Sequence, residues 1–194
     1  MAGRPIEGRD VEVLVTALAA HPQPGVVSAE AVVQGGKPFA ILVRADGARI
    51  RAALPDLAPA PPANADLAAL IRAARPGDPI VSQGLITQGD AYHYDHHSTP
   101  ALLPAWRAIY GDAAGTRLYL DPRNGELLSF VDAGARGFRW WHYALHRLDV
   151  SVLRGRPLWD LVTLPLLFGV ALVCLLGAWM GLRRLLRKER ARRA

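Results

Sequence analysis

Two groups of side chains in this sequence have the types and spacing to do chemistry. His142 and His146 stand four apart in RWWHYALHRLD, so a helix would bring both imidazoles to one face with Leu145 and the edge of Trp141. At that spacing they can share one metal ion, or one can serve as an axial haem ligand with a partner from another helix. His93, Asp95 and His97 alternate in DAYHYDHH, and on a strand they would offer two nitrogens and an oxygen to zinc, copper or iron from one face. Plainer readings compete with both. Phe138, Trp140, Trp141 and Tyr143 beside Arg136, Arg139 and Arg147 make a belt that would hold a helix at the lipid headgroups without any cofactor. An exposed loop rich in Tyr, His and Asp needs no metal. Catalysis has less support: Ser28, Ser82, Ser98, Ser129 and Ser151 lack an elbow glycine pattern, and Asp46, Asp121 and Asp66 read as turn or helix-start residues. No catalytic residue is nominated, and the chain reads as a non-enzyme.

The elements that would position these residues are organised by a membrane signal. The twenty-two residues from Leu161 to Leu182 carry no charge, and at about 1.5 Å per residue they cover roughly 33 Å, enough for a hydrocarbon core of about 30 Å. Pro165 is expected near the start of that helix, where a missing amide proton matters least. Trp159 and Trp179 fall near its ends, at interfacial depth, with Arg183 and Arg184 just beyond. Gly169, Gly177 and Gly181 make a stripe along which another helix, of a partner or a second copy, could pack closely. Cys174 lies in the span and serves as a small apolar side chain. The twelve residues from Arg183 hold seven Lys or Arg and one Glu, a balance of +6 that equals the charge of the whole chain. The excess of base therefore reports topology and not nucleic-acid binding: the tail is expected in the cytoplasm, near anionic lipid, and residues 1 to about 157 outside. Yet the first thirty residues offer no export signal. Either the start of a longer protein lies upstream, which is the preferred expectation, or the C-terminal anchor alone carries the domain across.

The ectodomain is expected to be α+β, two similar helix-plus-strand units in tandem. Val11, Leu14, Val15 and Leu18 recur at helical spacing before HPQPG stops the helix, and strands follow at Val26 to Val33, Pro38 to Arg44 and Ala48 to Ala53. Gly35-Gly36 and Asp46-Gly47 mark the turns between them. Residues 1–56 make the first unit, and LAPAPPANA, residues 57–65, a Pro/Ala linker. In the second unit, 66–133, Leu67, Leu70, Ile71 and Ala74 define a helix face, with strands at Pro79 to Ile86, Ala105 to Tyr110, Arg117 to Asp121 and Glu126 to Val131. A tight Asp121-Pro122-Arg123-Asn124-Gly125 turn joins the last two. A juxtamembrane aromatic helix at 134–157, the membrane helix at 158–182 and the basic tail at 183–194 complete the chain.

Several short motifs follow one another as Leu103-Pro104, Trp106-Arg107, Gly115-Thr116, Tyr119 to Gly125, Arg139 to His146, Arg156 to Asp160, and Gly177 through Arg184. Their order, over about residues 90 to 185, resembles the PepSY domain and the PepSY-associated transmembrane family. The resemblance implies a bacterial inner-membrane protein with periplasmic PepSY units. Some members are linked to iron-siderophore uptake or ferric reduction, and others are proposed to restrain peptidases. Members that act as reductases carry several membrane helices with histidines holding haem, whereas this chain has a single span. His146 stands where the family has Leu-His, which makes it the first haem candidate and His142 the second. The leading expectation is thus a non-enzymatic periplasmic binding or accessory module, its partner a peptide, a protein or a metal complex. The alternative is a haem-linked component or remnant of a ferric-siderophore reductase.

Overall fold

The computed structural model describes residues 4–95, 100–146, 148–150, 153 and 156–193. Its strands form two antiparallel sheets, each with a helix against one face, and a long apolar helix follows them, so the chain is α+β.

Helix α1 (Gly8–Ala20) begins where the Asp10 carboxylate accepts the Glu7 amide proton at 2.9 Å and is itself gripped by Arg4 at 2.6 and 2.7 Å. It lays Leu14, Ala17 and Leu18 on Ala40, Leu42 and Ala52 of the sheet β1 (Val26–Gln34), β2 (Lys37–Arg44), β3 (Arg49–Ala53). Val11 and Val15, expected on that face, are exposed, because the buried stripe runs through Leu14, Ala17 and Leu18 instead. Gly35 and Gly36 both take positive φ, 58° and 78°, and close the two-residue β1–β2 turn that pairs Gln34 with Lys37.

Residues 57–65 do not swing free as a linker. Leu57, at φ 55°, buries its side chain in the first core, and the amide of Ala60 donates to the Arg51 carbonyl at 2.8 Å, so the segment runs docked along β3. Helix α2 (Asn64–Ala74) starts within it, its first turn closed by the Ala63 amide donating to the Asp66 carboxylate at 3.0 Å. Leu67 and Ile71 then pack on Trp106, Ala108, Tyr110, Leu118 and Leu120 of the second sheet, β4 (Ile80–Ile86), β5 (Ala105–Tyr110), β6 (Arg117–Leu120) and β7 (Leu127–Val131), paired in that order. The Tyr110 hydroxyl fixes helix to sheet by donating to the Ile71 carbonyl at 2.7 Å.

Both sheets belong to one compact unit, Met1–Gly137. They are joined through the unpacked face of the first sheet, where Arg49 meets Glu126 at 2.5 and 2.7 Å and Gln34 donates to the Asn124 carbonyl at 2.9 Å. A short helix, α3 (Ala133–Phe138), follows β7 and ends one residue past this unit.

In the second unit, Phe138–Ala194, the expected single juxtamembrane helix is a π-helical stretch, Arg139–His146. It does not continue to 157: Leu148 takes φ 53°, and buried Arg139 turns back to donate to the Asp149 carbonyl at 2.7 Å, closing the turn. Helix α4 then runs unbroken over Arg156–Arg193, so the basic tail continues the apolar helix. Pro165 therefore stands inside α4 and not at its start, where its missing amide proton removes one intrahelical hydrogen bond.

Candidate functional site

The second sheet turns Trp106, Ala108 and Tyr110 of β5 toward α2, which leaves Arg107 and Tyr119, directly paired across β5 and β6, on the opposite face. The connection between β4 and β5 covers that face with Asp90 at its centre. Asp90 Oδ1 accepts the amide protons of Tyr92 and His93 at 2.9 and 3.0 Å; Oδ2 accepts Arg107 Nη1 at 3.0 Å and the Tyr119 hydroxyl at 2.8 Å. Burial pushes the Asp90 carboxyl up, but these four donors outweigh it and hold it below the ordinary carboxylate range. Burial, with the Asp90 charge beside it, pushes the Tyr119 hydroxyl up, so it stays protonated as a donor.

This packing changes the picture for the alternating histidines. The described part of DAYHYDHH is a run of bends and not a strand, so His93 and Asp95 do not share a strand face. His93 is buried, stacked on the Tyr119 ring at 5.0 Å, with Nε2 3.0 Å from the Leu102 carbonyl. An Nε2–H in that bond leaves only Nδ1 for a metal. Asp95 is exposed and accepts the Ala101 amide proton at 2.8 Å, while His97 lies outside the described residues. Among the described residues no three His, Cys, Asp or Glu side chains converge for a metal. What the segment does form is a cleft of about 290 Å³ lined by Tyr92, His93, Tyr94, Leu102, Leu128 and Ser129.

In the second unit, His142 and His146 do come together, their rings stacked at 5.2 Å and 26°, and Phe138 extends the stack at 4.8 Å from His142. Rings so nearly parallel send their lone pairs side by side. To share one ion both would have to turn, since a metal sits in the ring plane at about 2.0–2.1 Å from nitrogen. A single axial haem bond is less demanding: His146 is exposed and can present one nitrogen. Trp140 and Trp141 are exposed and Tyr143 is half-buried. On α4, Trp159 is half-buried and Trp179 exposed, the latter with Arg183 over its ring at 5.2 Å and Arg184 exposed next to it. Gly169, Gly177 and Gly181 have nothing within 4 Å of where a Cβ would stand, so their stripe is open.

Two polar centres were not singled out from the sequence. Asp90 draws its side-chain partners from 17 and 29 residues away, beyond any local motif. Arg51, only 5 % exposed, sits on the unpacked face of β3 two residues from Arg49. No local signal marks it, since arginines on the open face of a sheet are ordinary; its burial comes from Ala60 and Gln34, which the fold brings to it. Comparison of the chain with protein families, with curated proteins and with solved structures finds no match.

Proposed function

We propose that the chain is a single-pass, membrane-anchored PepSY-like protein acting as a non-enzymatic binding or accessory module. Its folded part stands on the periplasmic side of a bacterial inner membrane and its basic tail in the cytoplasm. The observation that carries this reading is α4: over Pro157–Arg184 it has a mean hydropathy of 2.5 in its most apolar stretch, and none of that stretch is buried. Leu164, Leu167, Phe168, Val173 and Leu175 stand 58 to 71 % exposed all round it, a surface that water disfavours and lipid accepts. The seven basic residues from Arg183 onward argue for the cytoplasmic end. The two sheet-and-helix halves offer clefts and fixed polar centres, which suit binding, and Asp46, Asp66, Asp90 and Asp121 are engaged in turns, caps and hydrogen bonds.

The test is topology. The full chain, tagged at either end and expressed in a Gram-negative host, is expected to stay in the membrane pellet after alkaline carbonate washing. In spheroplasts, protease should remove the N-terminal tag and spare the C-terminal one. Recovery in the carbonate supernatant, or cleavage of the C-terminal tag, would sink the reading. Exposed His146 supports the haem-linked alternative, and a Soret band that shifts on reduction and disappears in His146→Ala would put that alternative first.

A further inference from the structure

The unpacked face of the first sheet holds a second cleft, of about 260 Å³, between the β1–β2 turn and the start of α2. Arg51 forms its floor. The guanidinium lies over the Phe39 ring at 4.1 Å, Nε donates to the Ala60 carbonyl at 2.6 Å, and Nη1 donates to Gln34 Oε1 at 2.7 Å. Two of its five N–H groups are thus spent on fixing its orientation. The Nη2 end has no hydrogen-bond partner among the described residues. Its nearest carboxylate, Asp66, is 4.0 Å away, 59 % exposed, and already committed to the Ala63 amide. A guanidinium taken this far out of water without a hydrogen-bonded counter-charge is short of an anion. Lys37 lines the same cleft and adds a second positive charge, while Phe39, Leu70 and Ala69 supply apolar wall.

We propose that this cleft binds an organic carboxylate carrying a short apolar body. The carboxylate would seat on the free Nη2 edge of Arg51 with Lys37 beside it, and the apolar body on the Leu70 side. The volume admits one leucine-sized residue, so a free acid and the C-terminal residue of a peptide share the chemistry the site reads. The inference rests on the binding-module reading and gives that module its ligand class. It also places the ligand between the two halves of the first unit: Arg51, Gln34 and Lys37 come from one, Asp66 and Leu70 from the other, and Gln34 already ties Arg51 to Asn124.

The test uses the full chain in lipid nanodiscs, with N-acetyl-L-leucine, its amide twin, and an acetylated tetrapeptide ending in a free leucine as probes, read by calorimetry. Saturable binding of the acid, with the amide weaker by about ten-fold or more, is the expected result for charge-assisted bonding. Saturation by the tetrapeptide as well assigns the peptide source; saturation by the small acid alone assigns the free-acid source; either supports the site. Because Arg51→Ala would remove a buried side chain that helps hold the halves together, the deciding variants are exposed ones. Lys37→Gln should weaken the acid about two- to five-fold, and Asp66→Asn, which keeps the Ala63 cap and removes the competing charge, should tighten it by a similar factor. Equal affinity for acid and amide overturns the proposal. So does an absence of saturation by about 10 mM, the edge of specific affinity for so small a ligand, or an Asp66→Asn variant that binds more weakly. Co-flotation of the same preparation with lipid reports separately on the anchor, so a chain that floats and does not bind overturns the site alone.

Discussion

Asp90 receives hydrogen bonds from two backbone amides, a guanidinium and a phenol, so removing it strands the Arg107 and Tyr119 donors on the covered face of the second sheet. Asp90→Ala is expected to destabilise the first unit by about 2 kcal/mol, less than breaking a fully buried pair, because the Asp90 and Arg107 side chains are 19 % and 32 % exposed. Asp90→Asn, which keeps an acceptor oxygen, should cost less; thermal unfolding followed by circular dichroism measures both. The pH dependence has a fixed sign. Asp90 lies below the ordinary carboxylate value, and Arg4, with the Glu7 amide, pulls Asp10 down to about 2. Groups whose folded pKa is lowered stabilise fully above the unfolded value near pH 3.9 and lose that contribution as pH falls through the folded value. The unfolding temperature should therefore be level from pH 7 to about 5 and fall steeply below 4, less steeply in Asp90→Asn. A midpoint that holds steady down to pH 3 would show that Asp90 is not the ionised acceptor described here.

At the level of elements, local sequence signals found what local physics decides. All seven strands lie within a residue or two of their expected positions, because Gly35-Gly36, Asp46-Gly47 and Asp121 to Gly125 are turn sequences whose geometry needs little tertiary help. Signals failed where packing chose between locally equal options: which valines of α1 go inside, whether residues 57–65 stay free, and whether Arg139 faces lipid or Asp149. The site divides along the same line. His93 and the His142–His146 pair were visible as types and spacings, whereas Asp90 and Arg51 are defined by partners brought in by topology. Gly125 joins both levels. Its φ of 75° closes the β6–β7 hairpin, and a Cβ there would stand 3.0 Å from Gln34 Oε1 and 3.2 Å from Leu70 Cδ1, at the joint between the halves. Gly125→Ala is accordingly expected to cost about 1–3 kcal/mol, more than the αL penalty alone, because the joint must also open. Gly47→Ala, with φ 83° and open space around it, is the control that carries only the backbone term. Equal losses in the two variants would show that the hairpin does not bear on the joint.

For the molecule as a whole, one helix decides between a soluble protein with an exposed apolar rod and a protein held in lipid. Propensity and length are the same in the two cases; the solvent is what differs, and the apolar surface of α4 is compatible with lipid. Charge placed at mid-span separates them. Val170 and Leu172 lie near the middle of Pro157–Arg184 and both are exposed, so arginine at either alters no packing within the described chain. In water such substitutions improve solubility and leave the fold as it was. In a bilayer each arginine costs about 2.5–3.5 kcal/mol on the insertion scale, so the pair together outweighs the modest per-residue gain of several leucines. The Val170→Arg, Leu172→Arg double variant is therefore expected to move from the carbonate-resistant pellet to the supernatant or to be degraded, while a Val170→Leu, Leu172→Ile control stays in the pellet. A double-arginine chain that remained in the pellet and kept its C-terminus protected would mean that something other than lipid covers α4. A binding partner along the Gly169, Gly177 and Gly181 stripe would then be the first place to look, because nothing among the described residues comes within 4 Å of where a Cβ would stand there.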